Sequence, residues 1–513
     1  MQSLPFEIFT SDEVKVIESD FAKDNNGHCY DLMLKAGHAV FDAIFNYVEH
    51  PKEVWVFCGK GNNGGDGYVV ANLLLESQIP YRVFAIGVPH EGSEASIAYE
   101  YFIKQGGVIE YELPNFGNID DGIIDFPKPD VIVDALLGTG IESAPQGNMS
   151  KWVAFINQLD TFTISVDIPT GVVADTGFVP GVCVCADVTV CMLALKPGLF
   201  TSDAVDLVGD IVFAPLDIDA RAYYNLFEDG MYRYPLPIVR ISYDDVLNQL
   251  PVRALNANKG DNGKVLVIAG DVGMGGAAII CGRGALRTGS GLVKVATARE
   301  NFAPLLSNQA ELMTVDLDDL NAVRKAIAWA DVVAVGPGLG VTEKSAAILS
   351  ILDDNEDKVF VYDADALNLL AHYEQNYYKE NRVITPHPGE AARLLGCTVD
   401  EVNSDRLLAC YKLWQKYGGV VLLKGAGTII CNGQRLTIIN DGSPALAVGG
   451  SGDLLTGVIV SLLGQGLENE IATIVGAAIH ARAGKLAGLD GGVIGTLSCD
   501  VTNYVRKLVN GKC

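Results

Sequence analysis

Short, unbroken apolar runs recur in two series along this chain, most of them ending in glycine or in a single polar residue. The first series is VWVFCG (54–59), YRVFAIG (81–87), DVIVDALLG (130–138), TFTISVDIP (161–169) and DVTVCML (187–193). The second is KVLVIAG (264–270), LVKVAT (292–297), DVVAVGPG (331–338), KVFVYDAD (358–365), RVITP (382–386) and VVLLKG (420–425). A run that does not alternate polar with apolar belongs to a strand covered on both faces, and helical stretches between such runs mark a largely parallel α/β sheet. Between about residues 217 and 250 the pattern lapses into RAYYNLFEDGMYRYPLP, which reads as a junction. The expectation is an α/β chain of two domains, 1–222 and 246–513, joined by a linker at 223–245. A length of 513 residues is too great for one ordinary core, and the two series share no motif that would make them a repeat. The closing segments, AVGGSGDLLTGVIVSLLGQG and IATIVGAAIHARAGKLAG, read as buried helices.

Charge excludes some partners. The chain carries a net −26, a surface that repels nucleic acid and anionic membranes. A phosphate-bearing ligand must therefore be held by local donors or by a cation. No apolar stretch reaches the roughly 18 residues that span a bilayer. The opening MQSLPFEIFTSDEVKVIESD has acidic residues where a signal peptide needs an apolar core, so a cytoplasmic location is expected. The cysteines, 11 in all, are scattered; Cys183, Cys185 and Cys191 read as reduced core residues rather than as a disulfide or zinc framework.

In the second block, Gly449-Gly450-Ser451-Gly452-Asp453 precedes the apolar run LLTG. Bare backbone N–H groups at a helix N-terminus attract an anion, and a carboxylate among them can take a proton from a hydroxyl during phosphoryl transfer. Taken alone, such a loop is equally an N-capped turn. It has company: Lys424-Gly425-Ala426-Gly427-Thr428, Gly336-Pro337-Gly338-Leu339-Gly340 and Thr385-Pro386-His387-Pro388-Gly389-Glu390 all follow strands, where open α/β sheets place ligands. In order, KGDNGKVLVIAGD, GGAAIICGRGALRTGSGLVKVAT, VGPGLG, TPHPGE, KGAGT and GGSGDLLTG resemble the ribokinase-like carbohydrate-kinase family, in the branch that dehydrates NAD(P)H hydrates. That resemblance implies a ribokinase-like fold over essentially residues 250–510. It implies that the nucleotide's AMP part lies along Lys424, Gly425, Ala426, Gly427 and Thr428 and near Gly452. It implies that the hydrate contacts Ala277, Gly340, His387 and Asp453, with Asp453 as the catalytic base. ADP or ATP would bind with Mg²⁺, and Glu390 would organise the ion's surroundings rather than ligate it.

In the first block, Gly59-Lys60-Gly61-Asn62-Asn63-Gly64-Gly65-Asp66-Gly67 follows the first apolar run and leads into YVVANLLLE. Asp134 ends a second run, in VDALLGTG, and Asp167 a third, in VDIPTG, so these side chains can converge on one pocket. With KPG (196–198) and the helix-like DLMLKAGHAV, the set resembles the NAD(P)H-hydrate epimerase family over roughly residues 5–220. That resemblance implies a Rossmann-like three-layer fold. It implies a dinucleotide lying along Asn62, Asn63, Gly64, Gly65 and Asp66 and along Gly138, Thr139, Gly140, Ile141, Glu142, Ser143 and Ala144, in contact with Asp167. A K⁺ ion would be held by Asn63, Asp134 and Thr170. The family commonly has Ser at the place of Thr170, where the hydroxyl is kept, and often a basic residue after GTG, where this chain reads Ile141-Glu142-Ser143-Ala144. Epimerisation needs an acid/base group at the hydrated carbon, and Asp167 is the candidate.

Together the resemblances imply one chain that epimerises the R and S hydrates of NADH and NADPH (NADHX and NADPHX) and then dehydrates the S form with ADP or ATP. A small-metabolite kinase fused to an N-terminal binding scaffold remains the alternative, because vitamin and sugar kinases share the phosphoryl-transfer loops. ADP against ATP, NADH against NADPH hydrate and the epimerisation route stay open, and a homo-oligomer is compatible with the sequence.

Overall fold

The first series of apolar runs forms one parallel sheet. A short strand, β1 (Glu7–Ile8), precedes it in the chain; the sheet contains β2 (Val54–Cys58), β3 (Tyr81–Ala85), β4 (Val131–Ala135), β5 (Thr163–Val166), β6 (Val188–Met192) and β7 (Asp210–Ala214). Its spatial order is β3-β2-β4-β5-β6-β7, with every pair parallel. Successive side chains point to opposite faces, and both faces are buried. Val54, Val56 and Cys58 join the core beneath helices Tyr30–Tyr47 and Asn62–Glu76. Trp55 and Phe57 join Phe84, Ile132 and the Trp152 and Val153 side chains of helix Asn148–Leu159 on the other face. This double coverage is why the strands read as continuous apolar runs. The chain leaves β2 for β3 and then returns to the other side of β2 at β4, so a crevice opens between β2 and β4 at the carboxyl edge.

The structure, a computed structural model, describes residues 4–24, 28–114, 128–226, 233–372 and 378–512, and the chain divides into two units, Met1–Pro235 and Leu236–Cys513. Part of the segment read as a linker, 227–232, lies outside the described residues. Strand β8 (Ile238–Ile241), within the same 223–245 stretch, pairs in parallel with a strand of the second unit; its half-buried IVRI pattern lacks the continuous apolar signature.

The second unit continues with β9 (Lys264–Ile268), β10 (Leu292–Thr297), β11 (Met313–Asp316), β12 (Val332–Val335), β13 (Val359–Tyr362), β14 (Arg382–Ile384), β15 (Val420–Leu423), β16 (Ile429–Cys431) and β17 (Leu436–Ile439). They lie in the order β8-β17-β16-β15-β14-β13-β12-β9-β10-β11. Only β15–β16 and β16–β17 are antiparallel, a hairpin turning at Asn432-Gly433. The strand order reverses between β9 and β12, so the loops after β9, β12, β13, β14 and β15 share one edge. Helix Ser451–Gly464 is buried from Leu454 to Leu463 and lies against helix Gly275–Thr288. A Cβ at Gly457 would sit 2.2 Å from the Cys281 carbonyl oxygen, so the close approach of these helices requires glycine there. No helix among the described residues is long and apolar enough to cross a membrane.

The cysteine reading is corrected at one position. Cys183 and Cys191 are buried free thiols, but Cys185 is exposed, because it precedes β6 instead of lying within the strand.

Gly336, just past β12, has φ +124°, and a Cβ there would lie 1.8 Å from the Asp363 carbonyl oxygen. Gly336→Ala is therefore expected to destabilise the second unit by about 3 kcal/mol or more. Denaturant unfolding with probes in each unit should show that unit's transition moving while the first unit's transition stays in place.

Candidate active sites

In the first unit, the edge between β2 and β4 opens on a cavity of about 510 Å³. Asn62, Asn63 and Asp66, at the start of helix Asn62–Glu76, line it together with Gly138 to Ile141 and Asp167. Gly64 and Gly65 lie beneath it and act by having no side chain. A Cβ on Gly64 would meet the Gly59 carbonyl oxygen at 2.1 Å, and one on Gly65 the Met33 side chain at 2.5 Å. Glu142 and Ser143 are exposed, and neither they nor Ala144 line the cavity. The structure thus brings the first part of the 138–144 stretch to the site and leaves its end outside.

Asp134 and Thr170 form the buried floor, both fully inaccessible. Asp134 Oδ2 accepts from the Thr170 backbone N–H at 2.9 Å and from the Ser165 hydroxyl at 2.9 Å, while Oδ1 accepts the Thr170 hydroxyl at 2.7 Å. Burial raises the Asp134 carboxyl above its ordinary value, and these neutral donors offset part of the rise. The Asn63 side-chain nitrogen is buried without a hydrogen-bond partner among the described residues.

The sequence reading missed the residue that organises Asp167. Lys196, offered only as part of the KPG motif, is 1% exposed; its ammonium donates to Asp167 Oδ1 and, at 2.8 Å, to the Met192 carbonyl. The Met192 N–H donates to the same Asp167 oxygen at 3.0 Å. Burial alone would strip the lysine's proton, but Asp167, Cys191 and Glu18 hold its pKa above the ordinary value. Glu18, on helix Ser11–Asp24, also lines the cavity; nothing in that helix's pattern separates it from a solvated acidic residue. Burial and the charges of Asp167 and Glu18 push the Asp66 carboxyl well above its ordinary value. The cavity therefore presents a carboxyl group of raised pKa together with a carboxylate–ammonium pair, an arrangement suited to moving protons.

In the second unit, Asp453 lies in the first turn of helix Ser451–Gly464, behind Gly450, whose φ of +87° turns the chain into the helix. Burial, then the charges of Asp363 and Asp365, push its carboxyl up to about 6 against the opposing pull of Lys424. Lys424 reaches this turn: its Nζ lies 3.1 Å from where a Gly452 Cβ would stand. The same ammonium pairs with Asp363 Oδ1, and Asp363 Oδ2 accepts the Thr456 hydroxyl at 2.7 Å. Burial alone would raise Asp363, yet Lys424 and the hydroxyl hold it below the ordinary value.

His387 caps helix Pro388–Leu395, its Nδ1 accepting the Gly389 N–H at 3.0 Å; Nε2 therefore carries the proton in the neutral ring. Partial burial, Lys424 and Arg393 lower its pKa, keeping it neutral. Glu390 is buried and accepts the His387 N–H at 2.9 Å, so it organises the histidine. The Gly340 N–H donates to Asp365 at 2.8 Å, and Ala277 lies under the same loop, 3.2 Å from a Cβ placed on Gly338. Along the Lys424–Thr428 loop, Gly425 and Ala426 are exposed and Thr428 donates to the Gly425 carbonyl at 3.2 Å. Arg406, also missed by the sequence reading, is 4% exposed and donates to the Lys424 carbonyl at 3.1 Å from beneath. Thus Ala277, Gly340, His387, Lys424, Gly452 and Asp453 all collect at one edge, and Asp363, which pairs with Lys424 and lies beside Gly452, was readable only as the end of a strand.

Known proteins match both halves. Residues 29–198 match the family described as YjeF-related protein N-terminus, and residues 265–507 the NAD(P)H-hydrate dehydratase family. The bifunctional NAD(P)H-hydrate repair enzyme Nnr of Escherichia coli is 39% identical over 510 residues, covering 99% of this chain and 95% of that protein. The chain belongs to the bifunctional NAD(P)H-hydrate repair enzymes. The Vibrio cholerae enzyme of the same name is 36% identical, over 99% of both chains. A solved structure from Streptococcus mutans, described as hypothetical protein SMU.573, covers 53% of this chain and 98% of its own with 26% identity and a TM-score of 0.50. The enzyme's two units have the Rossmann-like three-layer and ribokinase-like α/β folds that the sequence implied.

Lys196→Met leaves Asp167 without its cation at a nearly closed site. Removing one partner of a buried pair costs roughly 3–5 kcal/mol, and the enzyme's first unit is expected to lose stability at the lower end of that range because Asp167 keeps some solvent contact. Urea unfolding read by tryptophan fluorescence checks it.

Proposed function

We infer that the first unit interconverts the R and S hydrates of NADH and NADPH around Asp167, and that the second dehydrates the S hydrate with ADP or ATP around Asp453. The observation that carries the second half is an Asp453 carboxyl brought to about 6, in the first turn of a helix and within reach of Lys424.

In the second unit, Asp453 takes the proton of the ring hydroxyl as that oxygen attacks the nucleotide's terminal phosphoryl group. The new O–P bond forms as the phosphoanhydride bond breaks, releasing AMP from ADP or ADP from ATP. Backbone N–H groups at Gly450–Gly452 and the Lys424 ammonium balance the charge on the transferred group. Mg²⁺ bound with the nucleotide would supply further neutralisation, and Glu390, which accepts the His387 N–H, would organise its surroundings. The ring nitrogen's lone pair then expels phosphate, a far better leaving group than hydroxide, and loss of a proton from the neighbouring carbon restores the dihydropyridine. His387 Nε2–H and the Gly340 loop position the ring, while Lys424, Gly425, Ala426, Gly427 and Thr428 carry the AMP part.

In the first unit, Asp167 serves as the acid/base group, oriented by Lys196 and the Met192 N–H. Asn62, Asn63, Asp66 and the Gly138–Ile141 stretch hold the dinucleotide. The residues behind the cavity fit a K⁺ ion: Asp134 is buried with only neutral donors among its hydrogen-bond partners, the Thr170 hydroxyl touches it, and the Asn63 side-chain nitrogen has no hydrogen-bond partner among the described residues. A half-turn of that amide would present its carbonyl to the ion. Held by Asn63, Asp134 and Thr170, K⁺ would supply the positive charge that the Asp134 carboxylate lacks.

The test is recovery of NADH absorbance from a mixture of R and S hydrates with Mg²⁺, K⁺ and ADP or ATP. Asp453→Asn is expected to lower nucleotide-dependent recovery by about 10²- to 10⁴-fold, and Asp167→Asn to stop recovery at the S fraction. A stable phosphorylated product in place of free phosphate would establish the kinase alternative. A raised Asp453 pKa also fixes the sign of the pH dependence: the base is ionised above about 6, so kcat for the S hydrate rises through an acid limb near that pH and falls below it. A limb near the ordinary aspartate value of about 4 would rule out Asp453 as the titrating base.

A further inference from the structure

Asp363 is closed off from solvent, yet it ties together the elements that build the second site. Its carboxylate is 1% exposed. One oxygen takes the Lys424 ammonium from the loop after β15; the other takes the Thr456 hydroxyl from the helix that carries Asp453, one turn further on. The backbone around it leaves little freedom. Ala364, the next residue, is held at φ +48°, and the Asp363 carbonyl occupies the space that a Gly336 side chain would need.

We propose that Asp363 is a positioning residue for phosphoryl transfer: it holds the Lys424 ammonium beside Gly452, where the transferring group lies, and away from the Asp453 carboxylate. The inference rests on the reading of Asp453 as the base. Lys424 is close enough to act on the Asp453 charge, and no hydrogen bond engages the Asp453 carboxylate among the described residues. Released from Asp363, the ammonium is free to turn to the Asp453 carboxylate, on whose charge it already acts. That pairing would leave Asp453 a weaker base and withdraw the positive charge from the phosphoryl group. The ionisable groups facing this turn are Asp363, Asp365 and Lys424, with Cys281 on the neighbouring helix and His480 behind Ser451. His480 is neutral, pushed down to about 4 by burial and by Lys424, and Cys281 is pushed well above the usual thiol range by burial. Cys281 does not change charge across the acid limb; His387 and Glu390 also feel Lys424 and Asp363, so the limb is read in His387→Gln and Glu390→Gln backgrounds as well, and a limb that moves in both reports on Asp453.

The experiment uses the full-length enzyme with purified S hydrate, and compares Asp363→Asn, Lys424→Met, the double variant and Thr456→Val. Asp363→Asn is expected to lower kcat about tenfold or more, to move the acid limb of kcat below about 6, and to leave the nucleotide Kd within about threefold of wild type. The double variant should be no slower than Lys424→Met alone, because Asp363 acts through that lysine. Thr456→Val loosens the carboxylate without removing its charge, and should move kcat and the limb in the same direction by a smaller amount; it decides the matter if Asp363→Asn does not fold. An unmoved limb, or losses that multiply in the double variant, would overturn the proposal. Asp453→Asn separates the two ideas: if it keeps full nucleotide-dependent activity, the reading of the base fails whatever Asp363→Asn does.

Discussion

A parallel sheet delivers the carboxyl ends of all its strands to one edge, and where strand order reverses that edge opens into a crevice. Both units of this enzyme depend on that constraint. In the first, the loops after β2, β4, β5 and β6 bring Asn62, Gly138, Asp167 and Lys196 to a single cavity. In the second, the loops after β12, β13, β14 and β15 bring Gly340, Asp363, His387 and Lys424 to the turn that holds Asp453. The buried faces of the strands hold these ends still, and glycine at contacts such as Gly457 against Cys281 lets the helices approach closely enough to complete the site.

Each site is organised around one lysine paired with a carboxylate, in a chain of strongly negative net charge. At Lys196 desolvation opposes the ammonium, and contact with Asp167 outweighs it. The two pairs divide their labour differently. Lys196 grips Asp167, which is itself the proposed acid/base group, and so orients it. Lys424 grips Asp363, and the proposed base, Asp453, is left outside the pair. That exclusion, with burial and the charges of Asp363 and Asp365, lets its carboxyl rise to about 6, where it is ionised at neutral pH but still basic enough to accept a proton.

The strands that were legible in the sequence are those buried on both faces, since only these leave a continuous apolar run. Strands β7, β8 and β11 went unread because their side chains are mostly half-buried and their pattern is mixed. The β16–β17 hairpin did carry a signal, Asn432-Gly433 between two apolar runs, that went unused. Among the candidate site residues, the glycine-flanked motifs lie on loops that meet at the two sites, while Glu142 and Ser143 are exposed and do not line the first cavity. Glu18 and Arg406 carried no local mark, because a charged residue on a helix looks the same whether it meets water or a buried loop.

By itself the sequence determined the α/β class, the two-block organisation and the family, because apolar runs and glycine-rich turns follow from local backbone and burial requirements. It also placed the candidate residues on loops that follow strands. The tertiary structure alone decided which charges meet: Asp363 with Lys424 and Thr456, Lys196 with Asp167, Glu18 with the first cavity. Those partners come from separate strands and helices, and the energy of a buried charge depends on what surrounds it in space, which residue spacing along the chain does not specify.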